Sequence, residues 1–309
     1  MKILLANPRG FCAGVDRAVQ IVEKALERFG RPIYVRHEIV HNKFVVDRLK
    51  EMGAVFVEEV EEAPENCTII FSAHGVADEV YEKSARLNQR VIDASCPLVK
   101  KVHFSAKNYY KKGSQTILIG HAGHAEVIGT MGQLPVGAMY LVGSVDDVEA
   151  LNIPDHTDLA YVTQTTLSVA ETRSIIDALN KKFPAIKGPE RGDLCYATTN
   201  RQEAVRDLSN HIELLLIVGA SNSSNSNRLR ELGVELGVPS YLISGASDLK
   251  IEWFNSIQNV GISSGASAPE VLVQDVVQWI KDKFEVSSVE NLTTMKENVR
   301  FSLPMALLD

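Results

Sequence analysis

The chain lacks any apolar run long enough to cross a membrane as a helix. Its opening, MKILLANPRG, sets only four apolar residues ahead of Asn7 and Pro8. That is too short for a secretion signal, so a cytoplasmic location is expected. Positive charge is not in excess: 32 Lys and Arg face 39 Asp and Glu, for a formal net charge of -7. No basic footprint for nucleic acid results. Cysteine is scarce, with four in 309 residues, at Cys12, Cys67, Cys96 and Cys195. None forms a CxxC pair, which sets aside a thioredoxin-like redox motif, and structural disulfides are not expected in a reducing compartment.

What is present is ordinary globular composition, 45% hydrophobic and 23% charged, in a chain long enough for two or three domains. Short apolar runs alternate with helical ones. KILLA, PIYVRHEIV, AVFVE, TIIFSA, RVIDAS, TILIG, AMYLVG, LAYVT, ELLLIV, SYLIS and NVGISS read as strands. In GVDRAVQIVEKALERFG, Val15, Ala18, Val19, Val22, Leu26 and Phe29 share one helical stripe, and Gly30 fits a C-terminal stop. This alternation predicts an α/β fold of mainly parallel sheets with helical crossovers.

Three cysteines share a context. Cys12 precedes AGVDRAVQIV, Cys96 precedes PLVKKVHFSA and Cys195 precedes YATTNRQEAV, so a helix is expected to start just after each thiol. Pro97 occupies a favoured first helical position. Cys67 precedes a strand instead and reads as a packing residue. The interval to the next polar strand end also recurs: 29 residues from Cys12 to His41, 28 from Cys96 to His124 and 28 from Cys195 to Ser223. A second polar strand end follows at His74, Thr165 and Ser267. Three α/β units are therefore expected, at 14–95, at 96–192, and at 193–280 together with 1–13, followed by a polar tail at 281–309. The last unit lacks a final strand, which KILLA would supply. KGPERGDLCYA has poor strand character ahead of Cys195.

In open α/β sheets ligands gather at the carboxyl ends of the strands. Three thiolates without a fourth equivalent suit a metal site with an open position. A zinc ion with three sulfurs and a histidine is one candidate, although the close ligand pairs of structural zinc are missing. A [4Fe-4S] cluster on three cysteines is another, leaving one iron as a Lewis acid. GASNSSNSNRL puts Ser223, Ser224 and Asn225 where a strand gives way to a helix, an anion site. Ser267, in SGASAPE, reads either as part of that site or as a plain helix cap. His41, His74 and His124 each add a donor, and protonated imidazole makes charge-assisted bonds to phosphate oxygens. Together these point to a small diphosphate or another dense anion. Glu126, in TILIGHAGHAEVIGT, is costly in an anion site unless protonated. It reads as a general acid beside a metal-bound hydroxyl, or as a helix-start glutamate favoured by the dipole.

At ANPRGFCAGVDRA, VRHEIVHN, FSAHGV, DASCPLVKKVH, GHAGHAEVIGTMGQ, TQTTLS, CYATTNRQEAV, SNSSNSNRL and SGASAPE the sequence resembles the 4-hydroxy-3-methylbut-2-enyl diphosphate reductase family of the non-mevalonate isoprenoid pathway. The resemblance reaches to about residue 280. It implies a trefoil of three α/β domains around a central [4Fe-4S] cluster, with Cys12, Cys96 and Cys195 matching the iron ligands. It implies diphosphate binding by His41, His74, His124, Ser223, Ser224, Asn225 and Ser267, with Thr165 near the substrate hydroxyl. Glu126 matches the residue central to proton delivery, and His121 is left structural. The implied reaction is a reductive dehydroxylation: the substrate hydroxyl binds the open iron, two external electrons enter and water leaves. Isopentenyl or dimethylallyl diphosphate results. The family commonly has proline where Ala125 stands, so the Glu126 loop is expected to be looser here.

Three rival classes stay open on the residues alone: an iron–sulfur hydro-lyase needing no external electrons, a cluster-based redox sensor binding a phosphorylated ligand, and a zinc protein. The electron donor that the resemblance implies is ferredoxin or flavodoxin. Both are usually acidic, so a lysine-rich face is needed, with Lys100, Lys101, Lys107, Lys111 and Lys112 as candidates.

Overall fold

The computed structural model describes residues 1–154, 157–190 and 192–308. Its strands are β1 (Lys2–Asn7), β2 (Ile33–Arg36), β3 (Ala54–Val57), β4 (Thr68–Phe71), β5 (Arg90–Asp93), β6 (Gln115–Ile119), β7 (Met139–Val142), β8 (Leu159–Thr163), β9 (Leu214–Val218), β10 (Ser240–Ile243), β11 (Asn259–Ser264) and β12 (Ser288–Thr293). Its α-helices are α1 (Ala13–Phe29), α2 (Lys43–Glu51), α3 (Asp78–Arg86), α4 (Pro97–Lys111), α5 (Ala125–Met131), α6 (Val145–Ala150), α7 (Val169–Lys182), α8 (Tyr196–Ser209), α9 (Ser224–Glu235) and α10 (Glu270–Lys283). The expected α/β class holds, and each of the eleven apolar runs contains a strand.

The chain divides into two compact units. The first comprises residues 1–16, 41–45 and 196–300 and carries one sheet in the order β10-β9-β11-β1-β12. Every pairing in it is parallel. Parallel strands covered on both faces read as continuous apolar runs, and β9, LLLIV, is buried throughout. Helices α8 and α9 seal one face around Ala204, Val205, Leu208 and Leu229. Helix α10 seals the other with Val273, Val276, Val277 and Ile280. KILLA joins this sheet as β1, next to β11. The tail departs from the expectation of a polar segment that adds no strand, because residues 288–293 form β12 on the far side of β1. Only Val289 and Leu292 of SVENLT pack into the cores, one on each face, so no apolar run marks this strand.

The second unit comprises 17–40, 46–195 and 301–309 and carries two parallel sheets, β3-β2-β4-β5 and β7-β6-β8. Ile69, Phe71 and Val80 centre one core, and Ile117, Ile119, Ile175 and Leu179 centre another. Ahead of Cys195 the chain makes only an isolated bridge between Lys187 and Ala160 among the described residues, in keeping with its weak strand character. Helices start immediately after Cys12, Cys96 and Cys195, at Ala13, Pro97 and Tyr196.

Candidate functional site

In the second unit the loop after β4 carries Ser72, Ala73, His74 and Gly75. Ser72 Oγ lies 3.3 Å from His74 Nδ1. Gly75 takes φ +80°, and a Cβ there would stand 2.7 Å from Cε1 of His103, so the turn that presents His74 requires glycine. His103 fills the space behind it. Burial, with Lys107 adding to it, pushes that ring down to about 4, so it packs as a neutral group. Helix α5 presses on the same loop: a Cβ on Gly129 would lie 3.0 Å from the Gly75 carbonyl oxygen, and Gln133 Nε2 donates to Val76 O at 2.7 Å. This approach brings His74 and His124 edge to face, with ring centroids 6.0 Å apart.

His124 is the N-cap of α5. Its Nδ1 accepts the Glu126 N–H at 3.1 Å, which puts the proton of the neutral ring on Nε2. His124 therefore offers a neutral N–H to an anion rather than the protonated imidazole expected from sequence. Glu126 is 2% exposed. Its Oε1 accepts the Thr165 N–H at 2.7 Å, and Thr165 Oγ1 donates to Oε2 at 2.9 Å. The carboxyl thus bonds to Thr165 instead of to the amides of its own helix. Burial pushes it up to about 7; the two Thr165 bonds pull against that, and the Asp193 carboxylate adds to the rise.

Ala125 is the first residue of α5, and the preceding His124 has φ -70° and ψ 136°, a conformation that tolerates a following proline. Ala125→Pro is expected to leave turnover within a few-fold and to raise stability by about 0.4–1 kcal/mol through a stiffer unfolded chain. Steady-state rates and thermal unfolding check this; a collapse of activity would show that Ala125 does more than set stiffness.

All four cysteines are half-buried and none is in a disulfide among the described residues. Cys67 packs beside the Ile69 and Phe71 core, and burial pushes its thiol up. The other three share a hydrogen-bonding habit that spacing did not reveal. The Cys96 N–H donates to Ala73 O, beside His74, at 2.9 Å. The Cys195 N–H donates to Thr165 O at 3.1 Å. In the first unit the Cys12 N–H donates to Ala266 O, beside Ser267, at 3.2 Å. Each thiol is thus tied to a polar strand end. Glu126, Thr165 and Cys195 form one bonded series.

The first unit gathers the remaining polar residues. Ser223 caps α9, accepting the Ser226 N–H, and Ser224 opens that helix. Ser267 Oγ donates to His41 O at 3.0 Å, while the N-cap of α10 is Pro269, so Ser267 is not a helix cap. Asn222 Nδ2 lies 3.3 Å from His41 Nδ1, which brings the serine loop to His41. Asn225 is 5% exposed, and among the described residues neither its Oδ1 nor its Nδ2 finds a hydrogen bond. A buried amide with both ends unmet is suited to a ligand that supplies the partners.

Three of the five candidate docking lysines are engaged within the second unit. Lys100 pairs with Asp93 at 2.5 Å, Lys107 with Asp78 at 2.7 Å, and Lys101 donates to Gly192 O at 2.7 Å beside Asp193. The His121 backbone N–H donates to Gln164 Oε1 at 3.0 Å, a structural contact. Sequence reading passed over Asp193 and Arg17. Asp193 accepts the Thr163 N–H two residues before Cys195. Arg17 donates to Ala94 O and Ser95 O just before Cys96. Their nearness to a singled-out thiol was the available signal.

The fold and these groups define a parallel α/β protein with cysteines and a buried acid at its strand ends. Residues 3–281 match the family described as LytB protein, and the chain belongs to that family. It is 56% identical to the 4-hydroxy-3-methylbut-2-enyl diphosphate reductase of Azotobacter vinelandii, over 99% of this chain and 98% of that one. It is 55% identical to the protein of the same name from Actinobacillus pleuropneumoniae, with the same coverage. The solved structure of the E-1-hydroxy-2-methyl-but-2-enyl-4-diphosphate reductase from Plasmodium falciparum matches with a TM-score of 0.96 at 38% identity, over 99% of this chain and 96% of that chain.

The donor chemistry fits an iron–sulfur cluster. Three cysteine sulfurs, each just ahead of a helix start, are the donor type such a cluster takes. Among the described residues no group of three or more His, Cys, Asp and Glu is arranged to hold a metal ion. Cluster cysteines bind different irons and need not converge on one point, as the ligands of a single ion do.

Proposed function

We propose that this chain reduces (E)-4-hydroxy-3-methylbut-2-enyl diphosphate to isopentenyl and dimethylallyl diphosphate, with Cys12, Cys96 and Cys195 holding a [4Fe-4S] cluster. Family membership and the names of close relatives support the reductive conversion. The observation that carries the mechanism is the buried Glu126 bonded to Thr165, whose carbonyl accepts the Cys195 amide. The cluster, when bound, supplies an open iron as Lewis acid and a route for two electrons. The balance is one allylic alcohol, two electrons and two protons giving one hydrocarbon C–H and one water.

The protein's part is proton delivery and diphosphate binding. Thr165 N–H can only donate, so Oε1 of Glu126 is always an acceptor and the acid proton resides on Oε2. There it donates to Thr165 Oγ1, freeing the threonine proton for the substrate's hydroxyl. The leaving oxygen thus departs as water rather than hydroxide. His41, His74, His124, Ser223, Ser224, Asn225 and Ser267 bind the diphosphate, with Nε2–H of His124 as a neutral donor. The electron donor we assign is a small acidic redox protein such as ferredoxin or flavodoxin. Lys111 and Lys112, both exposed, are the cations of the candidate set best placed to meet it.

Asn225 tests the binding assignment. Asn225→Ala is expected to cost about 1–3 kcal/mol of substrate binding, a roughly five- to hundredfold rise in KM with kcat little changed. An unchanged KM would remove Asn225 from the diphosphate site. The reaction class is tested by supplying substrate with no electron source: a reductase leaves it unconverted, whereas a hydro-lyase consumes it.

A further inference from the structure

The polar segment after β12 is bound tightly at one point. Arg201 on α8 is fully buried. Its Nη1 pairs with Glu297 Oε1 at 3.0 Å, and Asn200 Nδ2 holds the same oxygen at 3.1 Å. Its Nη1 also donates to Ala197 O at 3.1 Å, and its Nη2 donates to Gly10 O at 2.7 Å. Gly10 lies two residues before Cys12, takes φ +70°, and gives its N–H to the buried Ser264 Oγ at 2.8 Å. Upstream of Glu297 the segment is fastened by Thr294, whose N–H donates to Asn7 O and whose hydroxyl donates to Asp207. A guanidinium sealed from water needs a carboxylate partner, and its planar fork fixes what its other nitrogens reach.

We propose that Glu297, acting through Arg201, is a positioning residue for the loop that carries Cys12. The C-terminal segment, which no sequence motif singled out, thereby keeps that thiol aimed for the cluster. The loop is gripped at both sides of Gly10, by Ser264 on the N–H and Arg201 on the carbonyl, while Glu297 fixes the guanidinium that makes the second contact. This rests on the reading of Cys12 as a cluster ligand. Lysine at 201 keeps the charge and the pair with Glu297, but its single ammonium cannot also span Gly10 O and Ala197 O.

The test uses Arg201→Lys and Glu297→Gln in the full chain. Iron loss to a chelator is timed in anaerobically prepared, cluster-loaded protein, and alkylation of each cysteine is followed by peptide mass spectrometry after iron removal. Both variants are expected to lose iron about tenfold faster, the scale of effect typical of groups that orient metal ligands. Cys12 alone among the four thiols is expected to alkylate faster. Glu297→Asp, which keeps the carboxylate, restores part of the iron retention. Because an unpaired buried Arg201 can unfold the chain, the double variant Arg201→Met/Glu297→Leu removes both charges; it is expected to melt near the parent and still show a fast Cys12. Parental Cys12 reactivity, or acceleration of all four thiols together, overturns the proposal. Full iron retention in Cys12→Ala overturns the ligand reading instead, while the alkylation pattern still decides whether Glu297 governs the loop.

Discussion

Glu126→Gln is expected to lower kcat by a factor of about 10²–10⁴, the usual worth of a positioned proton donor, while substrate affinity stays within a few-fold. The substitution is close to isosteric. The glutamine oxygen still accepts the Thr165 N–H, and its amide donates to Thr165 Oγ1, as the protonated carboxyl does in the proposed mechanism. What is lost is the proton. A binding assay beside the rate measurement separates the two effects; unchanged turnover would take Glu126 out of proton delivery. In the parent, the acid form is abundant only below about pH 7, so kcat/KM should decline above it.

The same shift has a consequence for stability. Burial raises Glu126 from 4.5 to about 7, so its protonated form is favoured in the folded chain. The stabilisation is fully present below about pH 4.5 and is lost as the pH rises through about 7. Its full size is about 3 kcal/mol from the shift. Glutamine has no charge to bury, so the melting temperature of the variant relative to the parent should climb between pH 5 and pH 8. A difference that stays flat across that range would mean Glu126 does not titrate there.

The second large effect concerns the thiols. Cys12→Ser, Cys96→Ser and Cys195→Ser are each expected to lose most bound iron and to cut turnover at least about a hundredfold, because one thiolate of three is replaced by a poor ligand. Cys67→Ser is expected to keep iron and activity, since Cys67 lies beside the Ile69 and Phe71 core and in none of the strand-end contacts. Iron and acid-labile sulfide analysis of the four variants checks both halves. Iron loss in Cys67→Ser, or retention in any of the other three, would redraw the ligand set.

The sequence disclosed these elements unevenly, for physical reasons. The run LLLIV could be read as β9 because a strand buried on both faces must be apolar at every position. SVENLT could not be read as β12, since an edge strand burying only Val289 and Leu292 is held mainly by backbone bonds to β1. The helix starts after the thiols were legible from Pro97 and the apolar stripes. The Glu126–Thr165 contact was not, because 39 residues separate the partners. They meet only because β6 and β8 pair in parallel, with Ile119 opposite Thr163, which sets the loops after both strands side by side. Nor was His124 recognisable as a cap, since serine, threonine, asparagine and aspartate usually fill that role. Arg201 sits in a helix rich in polar residues, and nothing in YATTNRQEAV marks it as fully buried.

The central claim is that this chain passes electrons to a hydroxylated allylic diphosphate. The direct measurement is anaerobic oxidation of a reduced viologen on adding (E)-4-hydroxy-3-methylbut-2-enyl diphosphate, followed by product analysis. Dye oxidation dependent on substrate, with two electrons consumed per diphosphate and both isopentenyl and dimethylallyl diphosphate formed, is the predicted result. No oxidation by protein with an intact cluster would contradict the account and bring forward a hydro-lyase or a ligand-binding redox sensor.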